Sequence, residues 1–237
     1  MRKAGRIVAE TLALLQQKIR PGITTAELDA LAESAATRHG AVPSFKGYHG
    51  YPASLCVSIN EEVVHGIPSP RRVLQEGEIV SLDYGVIFKG YHGDSAITVP
   101  VGKVSPVARR LIEVTEGALY AGIAQARAGR RLGDISWAIQ SYVEGEGFSV
   151  VRQYVGHGIG RQMHEEPQVP NFGPPGRGRH LRPGTTLALE PMVNVGGYLT
   201  TVLDDDWTVA TEDGSLSAHF EHTIAVTEGD PEILTRA

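Results

Sequence analysis

The sequence predicts an α+β fold in which antiparallel strands are covered by helices and two pseudo-symmetric halves form one domain. Three observations lead to this prediction: segments repeat at a fixed offset, each half runs from helix to strand, and acidic residues recur at matching strand positions. Internal repeats constrain the whole architecture. Since no Ser/Gly-rich or Pro-rich linker separates the halves, we expect one domain over residues 1–237, with halves of approximately 1–102 and 103–237.

Two pairs of segments share one offset. Gly22 and Gly129 each begin a turn that opens a helix-like segment, and Asp83 and Glu190 each lie in an apolar, strand-like segment. Both pairs are 107 residues apart, and acid aligns with acid. Two related halves imply a pseudo-two-fold axis, on which one site could draw ligands from both halves.

A third pair of segments extends the repeat. It aligns Asp94 with Glu221 at an offset of 127, so the second half carries 20 additional residues, which we place around 197–216. The stretch 171–184 is rich in Gly and Pro and predicts a surface loop.

The N-terminal segment predicts an amphipathic helix. Glu10 interrupts its apolar residues and no small-residue cleavage site follows, which argues against a signal peptide. The chain contains no run of 18 apolar residues, so we expect no membrane span. The apolar residues lie at helical spacing: Ile7, Val8, Leu12, Leu15 and Ile19.

Composition indicates a soluble globular protein, with 41% hydrophobic and 21% charged residues. The formal net charge of −5 gives no electrostatic footprint for nucleic acid or an anionic membrane, so neither partner is expected. Short basic groups such as Arg130-Arg131 are interpreted as solvated surface. Cys56 is the only cysteine, so no intrachain disulfide can form and a cytoplasmic location is expected.

Acidic residues interrupt strand-like apolar segments at Asp83, Glu190 and Glu221. Burying a lone carboxylate without a partner costs several kcal/mol. Any one of them could face solvent from its strand, but three at repeat-related positions need a shared explanation. A bound metal cation is the simplest one.

In the hairpin predicted at 83–94, the alternation of side chains along each strand determines which residues share a face. A two-residue loop near 89–90 pairs Gly85 with Asp94. Asp83 lies two residues before Gly85, so it shares a face with Asp94 and is diagonal to it. A three-residue loop would instead place Asp83 and Asp94 on opposite faces.

Four carboxylates then gather together, at Asp83, Asp94, Glu190 and Glu221. Four negative charges repel one another unless they are neutralised. They exceed what one divalent ion needs, and they match two ions bridged by two carboxylates. An added imidazole favours Mn, Fe(II), Co or Zn over Ca or Mg.

The histidines divide into several classes. His157 and His164 lie seven apart in "YVGHGIGRQMHEEP", where HExxH is absent because position 168 is Gln168. His65 precedes Gly66 at the end of an apolar segment and is compatible with a structural strand-end histidine. Three further histidines are assigned to turns or the surface, namely His39, His180 and His219.

Together, several motifs resemble those of type I methionine aminopeptidases: "GYHGYPASLCVSINEEVVHGIP", "LDYGV", "YHGD", "VGHGIGRQMHEEP", "LEPMV" and "SAHFEHTIAV". The resemblance runs from about residue 3 to the C-terminus and includes the order and spacing of the motifs. It implies the pita-bread fold in one catalytic domain. It also implies a cytoplasmic metallopeptidase that removes the initiator methionine from nascent polypeptides.

The resemblance further implies a role for each site residue. Two divalent ions, with Asp94 and Glu221 bridging, would supply the water or hydroxide that attacks the first peptide bond. His164 would contact the scissile carbonyl or its oxyanion, His65 the nitrogen side, and Glu190 would also shuttle the proton. The implied metal ligands are Asp83, Asp94, His157, Glu190 and Glu221.

The implied methionine pocket combines aromatic and sulfur-containing residues, which could otherwise be read as core packing. Met163 stands where several bacterial relatives have Phe, so the pocket wall is more flexible. The pocket residues are Phe45, Tyr48, Tyr51, Cys56, His65, Met163, His164 and Trp207.

The partners implied by the resemblance are the N-terminal Met of nascent peptides and, transiently, the ribosome, with the protein itself a monomer. The chain begins about a dozen residues later than its relatives, and it shows no zinc-binding or PxxP-bearing arm for ribosome docking.

Three alternatives stay open. Prolidases and aminopeptidases P share the metal-binding residues but usually carry an additional N-terminal domain. A non-enzymatic peptide-binding protein could use the same fold, although such relatives typically lose metal ligands. A two-metal phosphoesterase fits the carboxylates but not the apolar pocket.

Overall fold

The computed structural model describes residues 1–236 and confirms the α+β class. Among these residues, four helices form: α1 (Arg2–Lys18), α2 (Thr25–Arg38), α3 (Pro106–Gln125) and α4 (Leu132–Gly145). The strands are β1 (Val42–Pro43), β2 (Cys56–Ile59), β3 (Glu62–Val64), β4 (Ile79–Phe88), β5 (Tyr91–Pro100), β6 (Ser149–Val150), β7 (Gly156–Gly158), β8 (Glu165–Val169), β9 (Thr186–Leu189), β10 (Met192–Asn194), β11 (Thr200–Val202), β12 (Val209–Thr211), β13 (Ser217–His219), β14 (Glu221–Ala225) and β15 (Glu232–Ile233).

Local sequence signals explain where the helices begin. Thr24 accepts a hydrogen bond from the Glu27 backbone N–H, and the Glu27 carboxylate accepts one from the Thr24 N–H, so a complete capping box opens α2. Ser105 caps α3 directly before Pro106, a residue that fits the first helical turn. The predicted amphipathic helix is α1, whose buried residues include Ile7 and Leu15.

A nine-stranded antiparallel sheet organises the molecule. Its main path runs β1-β4-β5-β14-β9-β7-β8, with β2 paired to β4 and β15 paired to β14. Two three-stranded sheets lie beside it, in the orders β13-β10-β6 and β11-β12-β3. The strand order is pseudo-symmetric about the paired strands β5 and β14. Strands β4 and β9 flank this pair, and β2 and β7 lie on their outer sides.

The offset of 107 recurs in the folded chain. Helices α2 and α4 differ by 107 residues at both their first and last positions. Two isolated bridges, Thr24 to Val73 and Arg131 to His180, differ by 107 at both ends as well. These equal offsets support the division into halves near residue 102.

The β4–β5 hairpin has the register that a two-residue loop predicts. Its turn lies at Lys89–Gly90, and it places Asp83 diagonal to Asp94 on one face. The predicted pairs are all present, namely Gly85 with Asp94, Ile87 with His92 and Phe88 with Tyr91.

Two apolar cores hold the helices on the sheet. One joins α1 and α2 to β2, β4 and β5 and includes the fully buried Leu28 and Leu82. The other joins α3 and α4 to β9 and β14 and includes Leu111 and Ile139. Fully burying an aliphatic side chain contributes about 2 kcal/mol, so these cores fix the strands that carry the candidate site. Within residues 1–236, no helix is long and apolar enough to cross a membrane.

Candidate functional site

Five adjacent strands of the large sheet carry the predicted metal ligands. Four lie within β4, β5, β14 and β7, and the fifth directly follows β9. In sheet order these residues are Asp83, Asp94, Glu221, Glu190 and His157. The pseudo-axis between β5 and β14 therefore runs through the cluster, and the two halves contribute to one site.

Three of the five side chains form the tightest group. One ligand atom each from Asp94, His157 and Glu221 lies within 4.8 Å of the other two, and all three residues are buried. Glu190 adjoins this group, because its Oε1 lies 3.4 Å from His157 Nε2. Such spacing allows several side chains to bind one cation.

Several carboxylate oxygens in the cluster are buried without a hydrogen-bond partner among the described residues. They are Asp83 Oδ1, Asp94 Oδ1 and Glu221 Oε1. Buried polar atoms are rarely left unsatisfied in native proteins, and a site for a bound ion is one recognised explanation. Oxygen ligands with one imidazole fit a divalent cation of the Mn, Fe(II), Co or Zn group, so the residues present fit the predicted metal.

Mutual repulsion and burial shift the pKa values of the cluster. Burial raises the pKa of Asp94 to about 7 and is also the largest cause that raises the pKa of Glu190. Burial and then the charge of Asp94 raise the pKa values of Asp83 and Glu221 well above their ordinary range. Burial and mutual repulsion disfavour the ionised form of all four carboxylates, and a bound cation would stabilise that form.

His157 is oriented for metal binding. Its Nδ1 donates to the Gly158 carbonyl oxygen at 2.8 Å, which leaves Nε2 as the nitrogen with a free lone pair. Burial lowers the pKa of His157 to about 4, with a smaller effect from His164. The ring is therefore neutral at neutral pH, the state that ligates metals.

A cavity of about 470 Å³ lies over the cluster. The predicted pocket residues Phe45, Tyr51, Cys56 and Met163 form a buried apolar cluster on its wall, with Tyr48 and Trp207 packed against them. All thirteen predicted site residues line this one cavity: Phe45, Tyr48, Tyr51, Cys56, His65, Asp83, Asp94, His157, Met163, His164, Glu190, Trp207 and Glu221. An apolar compartment therefore adjoins a carboxylate compartment.

The two predicted catalytic histidines both face the cavity. The ring centroid of His164 lies 4.3 Å from that of His157. His65 directly follows β3 with a positive φ of 62°, and its ring packs edge-on against Tyr154 at 5.8 Å. Burial and the neighbouring His164 lower the pKa of His65 to about 4. Partial desolvation and the nearby His49 lower the pKa of His164.

Five further residues line the cavity that the sequence did not single out as site residues. His49 lies inside the "GYHGYP" motif, where its position beside Tyr48 could have identified it. The other four are apolar or aromatic residues whose local sequence resembles ordinary core. The five are His49, Val64, Tyr154, Val155 and Met192.

The assignment of His219 to a turn or the surface is wrong. His219 lies in β13 with 1% of its surface exposed, and its Nε2 has no hydrogen-bond partner among the described residues. Burial lowers its pKa to about 3. Other elements surround β13, since it pairs with β10 and packs against α3, β3, β4 and β5, so a histidine at its end is buried. His39 and His180 are exposed, as predicted.

Glu165 and Glu166, which follow His164, lie outside the cavity lining. Glu165 Oε1 instead accepts a hydrogen bond from the Gln162 backbone N–H at 2.9 Å. Its carboxylate therefore stabilises the turn that presents His164.

Comparison of the sequence with models of known protein families supports a metal site in the sheet. The model of metallopeptidase family M24 matches residues 1–228. Because the match spans nearly the whole chain, the chain belongs to metallopeptidase family M24.

Relatives within the family are methionine aminopeptidases. Methionine aminopeptidase 1 of Bacillus subtilis is 57% identical over 236 residues, covering 100% of this chain and 95% of the relative. The crystal structure of methionine aminopeptidase from Thermotoga maritima is 48% identical with a TM-score of 0.99, covering 100% of this chain and 95% of that one. The Xaa-Pro dipeptidase of Bacillus anthracis has a TM-score of 0.80 at 23% identity and covers 100% of this chain and 59% of its own. That last likeness shows the fold alone, the pita-bread fold expected from the sequence.

Proposed function

We propose that this metallopeptidase is a methionine aminopeptidase that removes the N-terminal methionine of polypeptides. The observation that carries the proposal is the junction of an apolar compartment with a buried carboxylate cluster in one cavity. The high identity to methionine aminopeptidases of matching length supports it. The carboxylates suit a free α-amino group, and the apolar wall suits an unbranched thioether side chain.

The cluster would hold two divalent ions through Asp83, Asp94, His157, Glu190 and Glu221. Divalent ions bound there would lower the pKa of a water and so supply the nucleophile for peptide hydrolysis. Four carboxylates balance the charge of two such ions, which supports this number. We propose Mn, Fe(II), Co or Zn as the metal on the basis of the mixed oxygen and imidazole ligands.

The chain's own residues would orient the peptide and move the proton. His164 would donate a hydrogen bond to the scissile carbonyl oxygen, where negative charge develops. His65 would contact the nitrogen side of the scissile bond. The Glu190 carboxyl, whose pKa is raised by burial and by Asp94 in the absence of metal, would hold the water proton and pass it to the leaving amine.

The apolar wall would select the first residue. Met163, Cys56 and Phe45 present a polarizable, flexible surface that accepts a linear thioether. An apolar pocket distinguishes side chains that differ by one methylene by about 1–3 kcal/mol. We therefore expect strong preference for methionine over charged residues and weaker preference over unbranched apolar ones.

We also propose a cellular location, a substrate class and an oligomeric state for the enzyme. Cys56 is buried and unpaired, which supports a reducing, cytoplasmic compartment. Nascent polypeptides would be the substrate, with transient association at the ribosome and a monomeric enzyme as further parts of the proposal.

A comparison of two peptides tests the proposal against prolidase activity, the alternative that the shared fold raises. Metal-reconstituted protein should release free methionine from Met-Ala-Ser much faster than it cleaves an Xaa-Pro peptide. Asp94→Asn, prepared in the same way, serves as the negative control for a contaminating peptidase. Faster cleavage of the Xaa-Pro peptide would assign the chain to the other activity, and peptide binding without methionine release would indicate a non-enzymatic protein.

A further inference from the structure

The hydroxyl of Tyr48 reaches out of the apolar wall to His164. Tyr48 Oη lies 2.7 Å from His164 Nδ1, and the two ring centroids are 5.4 Å apart. Among residues 1–236, this is the only hydrogen bond of the Tyr48 hydroxyl to a protein group. The distance lies within the ordinary range for a hydrogen bond, so the contact can orient the imidazole ring.

Tyr48 is held by a stiff loop. Its backbone N–H donates to the Phe45 carbonyl at 2.9 Å, and its own carbonyl accepts from the Tyr51 N–H at 2.9 Å. The loop closes with the Gly47 N–H donating to the Tyr51 carbonyl at 2.8 Å. His49 takes a left-handed conformation at φ 49°, which non-glycine residues adopt rarely. These hydrogen bonds restrain the loop, so a side chain on it is well placed to fix a partner.

Hydrogen bonding at Nδ1 determines which nitrogen of the ring carries the proton. Burial raises the pKa of Tyr48, so its hydroxyl keeps a proton that it can donate to His164 Nδ1. A neutral imidazole that accepts at Nδ1 carries its hydrogen at Nε2. Only the Nε2–H tautomer leaves a donor for an oxygen of the substrate.

We infer that Tyr48 is a positioning residue that acts through His164: its hydroxyl fixes the ring and the Nε2–H tautomer that the substrate carbonyl requires. Because Tyr48 also packs against the apolar cluster of the wall, a side chain seated there steadies the same tyrosine. Occupation of the pocket is thereby linked to the orientation of a catalytic group. This inference rests on the proposed function for the role of His164.

Tyr51 provides a matched control within the same wall. Its hydroxyl lies 2.9 Å from the Gly66 carbonyl oxygen and 3.2 Å from that of Leu55, and both acceptors are backbone groups. Tyr51→Phe therefore removes a cavity-wall hydroxyl without touching a histidine. Any effect of this variant measures the general cost of losing such a hydroxyl.

A double-mutant cycle on Met-Ala-Ser hydrolysis tests the inference. Tyr48→Phe should lower kcat about tenfold, the worth of one hydrogen bond, and change KM less than about twofold, because the aromatic wall remains. In the His164→Ala background the same substitution should cause no further loss. Tyr51→Phe should cause the same loss in both backgrounds. An equal loss from Tyr48→Phe in both backgrounds would overturn the inference, because the hydroxyl would then act independently of His164.

Histidine-labelled, metal-free protein gives a readout that does not depend on activity. Nitrogen-15 spectra should show His164 as the Nε2–H tautomer, assigned by the signals that His164→Ala removes. Tyr48→Phe should shift it to a tautomer mixture, and Tyr51→Phe should not. A protonated Nδ1 in the unsubstituted protein, or an unchanged tautomer in Tyr48→Phe, would refute the positioning role. Failure of the unsubstituted enzyme to release methionine would refute the proposed function instead, and the spectra would still decide the hydrogen bond.

Discussion

At the residue scale, Asp94 shows most clearly why the buried carboxylates point to a bound cation. It is 3% exposed, one of its oxygens has no partner among the described residues, and the carboxyls of Asp83 and Glu221 are among its neighbours. Removing a divalent ion from such a group leaves a buried negative charge, so the metal-free protein should gain stability by protonating it.

The first prediction concerns the pH dependence of Asp94→Asn. In the metal-free protein the pKa of Asp94 is raised from 3.8 to about 7. A carboxyl with a raised folded pKa contributes stability that is fully present below its unfolded pKa and is lost as pH rises through the folded value. The free energy of unfolding of the unsubstituted protein, minus that of Asp94→Asn, should therefore fall from about pH 4 to about pH 7, as measured by urea denaturation with chelator present.

The comparison with Asp94→Asn isolates the carboxyl from the histidines. His65 and His157 have lowered pKa values, so their contribution changes in the opposite sense below pH 6.5. Both proteins carry these rings, and their contribution cancels to first order in the difference. A difference that is independent of pH would show that Asp94 titrates normally in the fold.

The second prediction separates His164 from the ligands. His164→Ala should lower kcat for Met-Ala-Ser about a hundredfold, the scale of losing one donor to a developing oxyanion. Its metal content should stay close to that of the unsubstituted protein, since His164 is not among the side chains whose ligand atoms lie within 4.8 Å of one another, and its Nδ1 is bonded to Tyr48. Elemental analysis after dialysis measures the content, with Asp94→Asn as the metal-poor control. Loss of both ions in His164→Ala would make it a ligand.

At this scale, the sequence could predict those site residues whose polar or charged side chains interrupt an apolar segment. Asp83, Glu190 and Glu221 stood out because carboxylates interrupt apolar strands, and the structure places them in one cavity. Their individual roles stay predictions. Tyr154 and Met192 could not be found in this way, because an aromatic or aliphatic residue in a core-like segment shows no conflict. His219 was missed since its burial depends on packing by α3, which lies about 100 residues earlier.

At the element scale, the β4–β5 hairpin determines the site more than any other element. Its two-residue turn sets the register, and the register places Asp83 and Asp94 on one face. The alternation of side chains across a strand is a local property, so this part of the site could be predicted without knowing the rest of the fold. The pairing of β5 with β14 could not, because it joins residues separated by more than 100 positions.

Close packing of α1 on this hairpin leads to the third prediction. A Cβ at Gly93 would lie 2.7 Å from the Gly5 nitrogen and 2.9 Å from the Ala4 carbonyl carbon, both in the backbone of α1. Gly93→Ala should therefore destabilise the protein by about 2 kcal/mol, the usual cost of overpacking. It should also weaken metal binding, because the strand that must shift carries Asp94.

Gly145→Ala is the control for that substitution. Gly145 ends α4, and a Cβ there would meet nothing within 4 Å. Alanine should stabilise the helix by about 0.5 kcal/mol through its higher helix propensity. Thermal denaturation of both variants measures the contrast; equal stability of Gly93→Ala and the unsubstituted protein would mean that α1 does not restrain the hairpin.

The region 197–216, where the sequence placed an insertion, contains β11 and β12. Together with β3 they form a small sheet that brings Trp207 and His65 to the cavity. Sequence offset could locate additional residues but not their partner strand, since β3 lies in the other half. The insertion therefore contributes to the pocket rather than only to the surface.

At the scale of the whole molecule, a metal bound at the cluster would couple the two halves. The proposed ligands Asp83 and Asp94 belong to the first half, and His157, Glu190 and Glu221 belong to the second. A cation bound by both would oppose their separation, in addition to the β5–β14 pairing. The single domain with halves divided near residue 102 stays a prediction, which the equal offsets of α2 and α4 support.

The fourth prediction follows from this coupling. Metal at a thousandfold excess over its Kd should stabilise the native state by about 4 kcal/mol, which shifts Tm by about 10 °C for a chain of this size. Differential scanning calorimetry with Mn or with chelator measures the shift. Asp94→Asn should show a much smaller one, and an unchanged Tm in the unsubstituted protein would indicate that the cluster does not bind the ion tightly.

Methionine release by metal-stripped and metal-restored protein tests the central claim most directly, that the buried carboxylates form the metal centre of a methionine aminopeptidase. Stripped protein should release no methionine from Met-Ala-Ser. Addition of Mn, Fe(II), Co or Zn should restore release, with bound metal approaching two ions per chain, and Asp94→Asn should stay inactive at every metal concentration. Full activity in the stripped protein, or in metal-loaded Asp94→Asn, would contradict the account.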